Sequence, residues 1–377
     1  MKLKGTPLTA AVLLLAAVGL AAMAGMSFRA MWEDDVFVPA PGFERKMLSS
    51  WFDGLAGSPA DTPVYVQQGE EQGGTVLILG GTHPTEPASM VTATLFIERA
   101  QVTKGRLIVI PQANLLGFTH NSPQEAHPQS ISFTVSDGSV RRFRFGSRLT
   151  NPLYEWPAPD IYIHPASGQQ LPGKERGNIN RCYPGIPDGS VTEQAAYAIT
   201  ELIKKERVDL AIDLHEASPE YPVVNAIVAH ERSMELAAMT TMDLEMEGIP
   251  MRLEPSPKNL RGLTHREWGD YTETMPVLME TGNPVQGRLR GRTDERLALT
   301  GEDKAYVKAA TLGRLYIPYE GDQRIEYRVG RHTASIMAFL VNLELLEPER
   351  VVLIEGIPSF GELQEKGVGA FLSPLKM

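Results

Sequence analysis

Four short runs of almost uninterrupted apolar residues set the terms on which this chain can fold. They are Thr75-Val76-Leu77-Ile78-Leu79, Leu107-Ile108-Val109-Ile110, Leu210-Ala211-Ile212-Asp213-Leu214 and Pro276-Val277-Leu278-Met279. None shows the polar alternation of a strand with one wet face, so each reads as a strand buried on both sides. A further strand-like stretch runs from Val223 to Val228. Between the runs lie helix signals. Pro87 to Arg99 reads as one helix, and residues 231–245 as another. Ser190-Val191-Thr192-Glu193 has the capping-box form and opens a helix whose Ala195, Ile199, Leu202 and Ile203 share a face. Strands alternating with helices predict an α/β fold: a mainly parallel, mixed central sheet flanked by helices.

The flanks divide the chain of 377 residues. Residues 27–72 read as a lead-in, in which Phe43, Met47, Leu48, Trp51, Phe52 and Leu55 recur at helical spacing and predict a short amphipathic helix. Residues 73–377 form the main domain. Within it, about 119–174 breaks the rhythm with many Pro, Ser and Gly, which marks a functional insertion rather than a plain connection. About 286–377 is a C-terminal elaboration, with helices expected near 301–315 and 333–346.

The first 26 residues have their own signature. Lys2 and Lys4 precede an apolar run from Leu8 to about Met26, and Ala22-Met23-Ala24 has the small-x-small form of a signal-peptidase site. The run also approaches the roughly 20 residues that span a bilayer. The pattern fits a cleaved signal peptide and an uncleaved anchor alike, and both put the domain in the periplasm or outside the cell.

Charge and cysteine content close off other classes. A net charge of −10 argues against a nucleic-acid surface, which needs clustered Lys and Arg. The local clusters Arg141, Arg142, Arg144, Arg148 and Arg288, Arg290, Arg292 read as solvated or ion-paired faces. Cys182 is the one cysteine, so there is no internal disulfide and no thiolate cluster, and a metal would have to be held by His and carboxylates. Neither a G-x-S-x-G elbow nor a phosphate-binding glycine loop occurs.

The residues just past the strand ends are more specific. His83-Pro84-Thr85-Glu86 comes after the first run, His215 after the third and Glu280 after the fourth. In open α/β sheets ligands bind outside the carboxyl ends of the strands, so two imidazoles and two carboxylates converge on one edge. A catalytic zinc takes three N or O ligands and keeps a position for water, and a nearby carboxylate takes the proton as that water attacks. Three ligands and one spare carboxylate are the minimum set.

Taken together, Gly80-Gly81-Thr82-His83-Pro84-Thr85-Glu86-Pro87, Asn180-Arg181-Cys182-Tyr183-Pro184-Gly185, Asp213-Leu214-His215 and Met279-Glu280-Thr281 resemble the zinc carboxypeptidase superfamily. The nearer branch is that of succinylglutamate desuccinylase and aspartoacylase. The resemblance covers roughly residues 73–285. It implies one Zn2+ per chain, with His83, Glu86 and His215 as ligands and Glu280 as general base. It further implies that Asn180 and Arg181 bind a substrate carboxylate, with Arg176 as the upstream arginine that polarises the scissile carbonyl, and Tyr221 or Tyr271 near the leaving group. Pro84 departs from the family's Gly between the ligands, and Asn178 stands where the deacylases carry Asp.

The expected activity is exported, zinc-dependent hydrolysis of an amide bond next to a free carboxylate, of the deacylase type on N-acyl amino acids. The alternative is a carboxypeptidase acting on peptides such as those of the cell wall. A third reading, a metal-free binding protein on the same scaffold, would require a lost ligand or a lost Glu. The partner is thus a small molecule or peptide with a free carboxylate, with no nucleic acid and with membrane tethering through the N-terminus. His120, His127, His164, His230, His265 and His332 read as structural. His265 is set apart by its place in the segment before the Glu280 strand.

Overall fold

The structure, a computed structural model, describes residues 6–121, 127–316, 319 and 323–375. Lys2 and Lys4 lie outside the described residues.

The apolar runs are the centre of a nine-stranded sheet. Its first four strands are β1 (Phe43–Met47), β2 (Pro63–Gln68), β3 (Glu71–Leu79) and β4 (Gln101–Ile110). Two hairpins come next: β5 (Ser130–Thr134) with β6 (Val140–Arg144), and β7 (Ile161–Ile163) with β8 (Gln170–Pro172). The sheet resumes with β9 (Leu210–Ala217), β10 (Ala226–Ala229), β11 (Arg252–Pro255), β12 (Met275–Gly282) and β13 (Leu353–Glu355). The order is β1-β2-β4-β3-β9-β12-β10-β11, with β13 also on β4. The middle is parallel, β4 with β3, β3 with β9 and β9 with β12, while β1, β2 and β13 run antiparallel to their partners and β10 antiparallel to β12. The mixed, mainly parallel sheet expected from the sequence is therefore present.

The lack of polar alternation has a direct cause: both faces are covered. Val76, Ile78, Leu107, Val109, Leu210 and Ile212 pack into one layer, and Leu77, Leu79, Ile108, Ile110 and Ala211 into the other. The first layer is closed by α2 (Pro87–Arg99), α5 (Met234–Met246) and α9 (Ile325–Leu346). The second is closed by α4 (Val191–Glu206), with its capping box at Ser190 and Glu193, and by Trp268 of α6 (Thr264–Tyr271). Shorter helices are α3 (Pro152–Glu155), α7 (Glu295–Thr300), α8 (Lys304–Thr311) and α10 (Phe360–Lys366). The helix expected near 301–315 is shorter and begins at Lys304, and that expected at 333–346 starts earlier, at Ile325.

The lead-in differs from expectation. Instead of an amphipathic helix, Phe43–Met47 pairs with β2, and Leu48–Ser50 and Asp53–Leu55 are 3₁₀ turns. The open edge of β2 offers five backbone partners, and single 3₁₀ turns still bury Leu48, Trp51 and Leu55 on one side. The lead-in is thus an edge of the main sheet. The preceding residues are also built in: Asp35 pairs with Arg144 at 2.9 Å and accepts from Gln112 at 2.6 Å, while Arg141 pairs with Glu98 at 3.0 Å. Those two arginines are internal ion pairs, as expected of their cluster. Before them, α1 (Pro7–Ala30) is strongly apolar, and none of its residues is buried.

Candidate metal centre and substrate pocket

The parallel strands end together, and what they carry converges. β3 stops at Leu79 and the chain turns through Gly80-Gly81, where Gly81 has φ +64° and a Cβ would stand 2.7 Å from the Pro111 carbonyl. Only glycine is comfortable there. The turn delivers His83, and Glu86 caps α2 with Pro87 in its first turn. On the neighbouring strands His215 and Glu280 are register partners, so they leave the sheet on the same face.

His83, Glu86 and His215 are buried and offer ligand atoms all within 4.8 Å of one another. His83 Nδ1 lies 2.8 Å from Glu86 Oε1, and His215 Nδ1 lies 2.9 Å from Glu86 Oε2 and 3.1 Å from His83 Nδ1. The outer ring nitrogens decide what those atoms can do. His215 Nε2 donates to Asp213 Oδ2 at 2.7 Å, and Asp213 also accepts from Thr82 and Thr264 hydroxyls. His83 Nε2 faces Asn178 Oδ1 at 2.9 Å. The Asn178 amide cannot flip: its Nδ2 donates to Glu175 Oε2 at 2.9 Å, and its Oδ1 accepts from the Asn180 backbone at 3.1 Å. Both imidazoles therefore keep a proton on the outer nitrogen and aim Nδ1 at each other and at a carboxylate, the arrangement of a histidine metal site.

The electrostatics agree. Burial, followed by the charge of Arg148, lowers the His83 pKa to about 4, so it is neutral. Burial opposes charge on Glu86 and His215 alike. The two imidazoles nevertheless hold Glu86 below its usual range, and Asp213 with Glu86 hold His215 well above its own. The cluster thus holds one positive charge where its inner nitrogens and Glu86 converge: a second proton on His215, which a bound cation would displace. A zinc ion fits that demand and the all-N/O donor set.

Beside the cluster lies a pocket of about 800 Å³, lined by His83, Glu86, His215, Glu280, Asn180 and Arg181 among others. Burial pushes the Glu280 carboxyl up to about 8, and its Oε2 has no partner among the described residues. Asn180 Oδ1 accepts from the Thr264 backbone at 3.0 Å, which leaves the amide nitrogen for the pocket. Arg181 donates to the Asn180 carbonyl at 2.7 Å and approaches Glu175 only to 3.9 Å. Burial, then the nearby charge of Arg148, disfavours its cationic form, so an anion between the two arginines would relieve both.

Arg176 is a correction. It does not line the pocket; its guanidinium binds Glu155 at 3.0 Å and the carbonyls of Glu155 and Pro157. Arg148 lines the pocket instead, with its NH1 3.2 Å from Glu86 Oε1. Arg148 does not stand out in the sequence because it follows a run of arginines, two of which are internal ion pairs. Asn178 and Asp213 carried a legible signal, each two residues before a site residue. Of the two tyrosines, Tyr221 lines the pocket and Tyr271 does not.

No protein-family model matches the chain. It is 25% identical over 167 residues to the N-alpha-acetyl-L-2,4-diaminobutyric acid deacetylase of Halomonas elongata, covering 44% of this chain and 34% of that protein. Solved structures similar to it include the ectoine utilization protein EutE (DoeB) of Ruegeria pomeroyi, at 22% identity and TM-score 0.39, over 60% of this chain and 54% of that one. A succinylglutamate desuccinylase/aspartoacylase of Rhodobacter sphaeroides stands at 20% and 0.38, over 66% and 58%. For the product-bound cell shape determinant Csd4 of Helicobacter pylori the values are 13% and 0.44, over 80% and 57%. The likeness is to the succinylglutamate desuccinylase/aspartoacylase proteins. The chain spans about a third of the length of its curated relative and a little over half that of these neighbours.

Proposed function

We propose that the protein is a zinc-dependent hydrolase that cleaves an amide bond beside a free carboxylate, of the deacylase type on N-acyl amino acids. One observation carries this: the inner nitrogens of two imidazoles with anchored outer nitrogens converge with Glu86 beside a carboxyl, Glu280, whose Oε2 has no protein partner among the described residues. Zinc held by His83, Glu86 and His215 would supply a Lewis acid for the carbonyl and acidify the attacking water.

The chain's own residues do the rest. Arg181 and the Asn180 amide bind the substrate carboxylate, since a guanidinium fork matches a carboxylate bidentately. Arg148 stands over the cluster and stabilises charge that develops on the carbonyl oxygen. Glu280 takes a proton from water on Oε2 and returns it to the departing nitrogen. A carboxyl that burial raises toward neutrality is suited to both steps.

The N-terminal helix favours a second substrate class, peptides of the cell wall. A 24-residue apolar helix with no buried face exports the domain or tethers it to the outer side of a membrane. A mass-spectrometric panel of N-acyl amino acids and muropeptides, run on zinc-loaded protein, tests both. Release of free amino acid from the former is expected; turnover of no substrate by fully metallated protein would overturn the activity.

A further inference from the structure

We propose that His265 is a specificity-determining residue of this pocket: it presents an Nε2–H donor that selects substrates whose amino-acid side chain ends in a carbonyl oxygen, as an amide or a carboxylate. The proposal deepens the hydrolase reading and rests on it.

The backbone places the residue. Thr264, the first residue of α6, is tied to Asn180 through its amide at 3.0 Å and to Asp213 through its hydroxyl at 2.7 Å. His265 is thereby fixed relative to both the carboxylate clamp and the support of His215. It lines the same pocket, beside an aliphatic wall of Val223, Val228, Leu260, Leu263 and Leu278. A substrate side chain lying along that wall meets an imidazole.

Ser256 sets the tautomer. Its Oγ accepts from Arg266 Nε at 3.1 Å and lies 2.8 Å from His265 Nδ1. Arginine only donates, so the serine proton has His265 Nδ1 as its one acceptor among the described residues. With Nδ1 accepting, the ring proton is on Nε2. That atom makes no hydrogen bond with the described residues, and it is not sealed away as the ring nitrogens of His332 are. Burial, then the charges of His215, Arg266, Arg181 and His230, hold the His265 pKa near 3, so the ring stays neutral. A neutral N–H donor among cations favours an acceptor and disfavours an ω-amine. Glu254 on the same pocket is already engaged by Arg252 at 3.2 Å.

Binding of the free amino acids, the products of the proposed reaction, tests this without turnover. Isothermal titration of the zinc-loaded protein should give glutamine roughly tenfold tighter than norleucine, the scale of one satisfied hydrogen bond. Lysine should be weaker still. The glutamine preference should vanish in His265→Leu and persist in His265→Gln, which keeps a donor; the latter also guards against a folding defect. Ser256→Ala, which frees the tautomer, should reduce the preference partway. Equal affinity for glutamine and norleucine in the wild type, including binding of neither, overturns the proposal, as does an undiminished preference in His265→Leu. Preference without hydrolysis of any N-acyl substrate would instead leave His265 standing and remove the hydrolase reading.

Discussion

On one side of the pocket, nearly every polar atom already has a partner inside the protein. His83, His215, Asp213 and Asn178 form a closed set in which each outer nitrogen, carboxylate and amide is matched. On the other side, Arg148 is 42% exposed, Glu280 Oε2 and His265 Nε2 lack protein partners among the described residues, and Arg181 has donors to spare. A closed set fixes lone pairs to within tenths of an ångström, which suits an ion with strict bond lengths. An open set keeps its hydrogen-bonding capacity for a molecule that comes and goes. Under the proposed function the difference divides the cofactor side from the substrate side, and mutations should respect it.

The sharpest test removes the inner ligands. His83→Ala and His215→Ala should each lose most bound zinc by metal analysis and all measurable turnover. Near-full stoichiometry in both would erase the distinction between the two sides. Glu280→Gln belongs to the open side, so it should keep zinc and fold while kcat falls about 10²–10⁴-fold; wild-type turnover on a true substrate would refute its role.

Smaller effects sharpen the boundary. Arg181→Lys should lower kcat/KM by roughly 2–4 kcal/mol of transition-state binding. Amidated substrates should lose as much with the wild type and little more with the variant. Asn178→Ala, on the closed side, should weaken zinc binding about 10–100-fold, the usual scale for an outer-sphere partner, and act on turnover mainly through zinc occupancy. Competition with a chelator measures it. Arg176→Ala should leave kcat/KM within about threefold, yet cost roughly 1–3 kcal/mol in denaturant stability by taking the charged partner from Oε2 of the buried Glu155. A large catalytic loss there would restore Arg176 to the site.

Much of this was legible beforehand because it depends on local pattern. Unbroken apolar runs mean two covered faces, and residues just past the ends of parallel strands share an edge, so His83, Glu86, His215 and Glu280 could be grouped without coordinates. The lead-in could not be read correctly: Leu48, Trp51 and Leu55 satisfy helical spacing, but a free strand edge nearby outcompetes a marginal helix.

The sequence alone determined the buried centre of the sheet, the donor set and the kind of charge at each position, since these depend on residue type and short-range periodicity. Only the tertiary structure decided which arginine lines the pocket. Arg148 and Arg176 lie in or just past one insertion, and their separate fates depend on Glu86 and Glu155, 62 and 21 residues away along the chain. The same holds for proton placement on the histidines. Asn178 and Ser256 fix it on His83 and His265 through contacts whose partners lie 95 and 9 residues distant, and no local period encodes a hydrogen bond of that kind, whereas Asp213 and His215 share a strand face by the period of two.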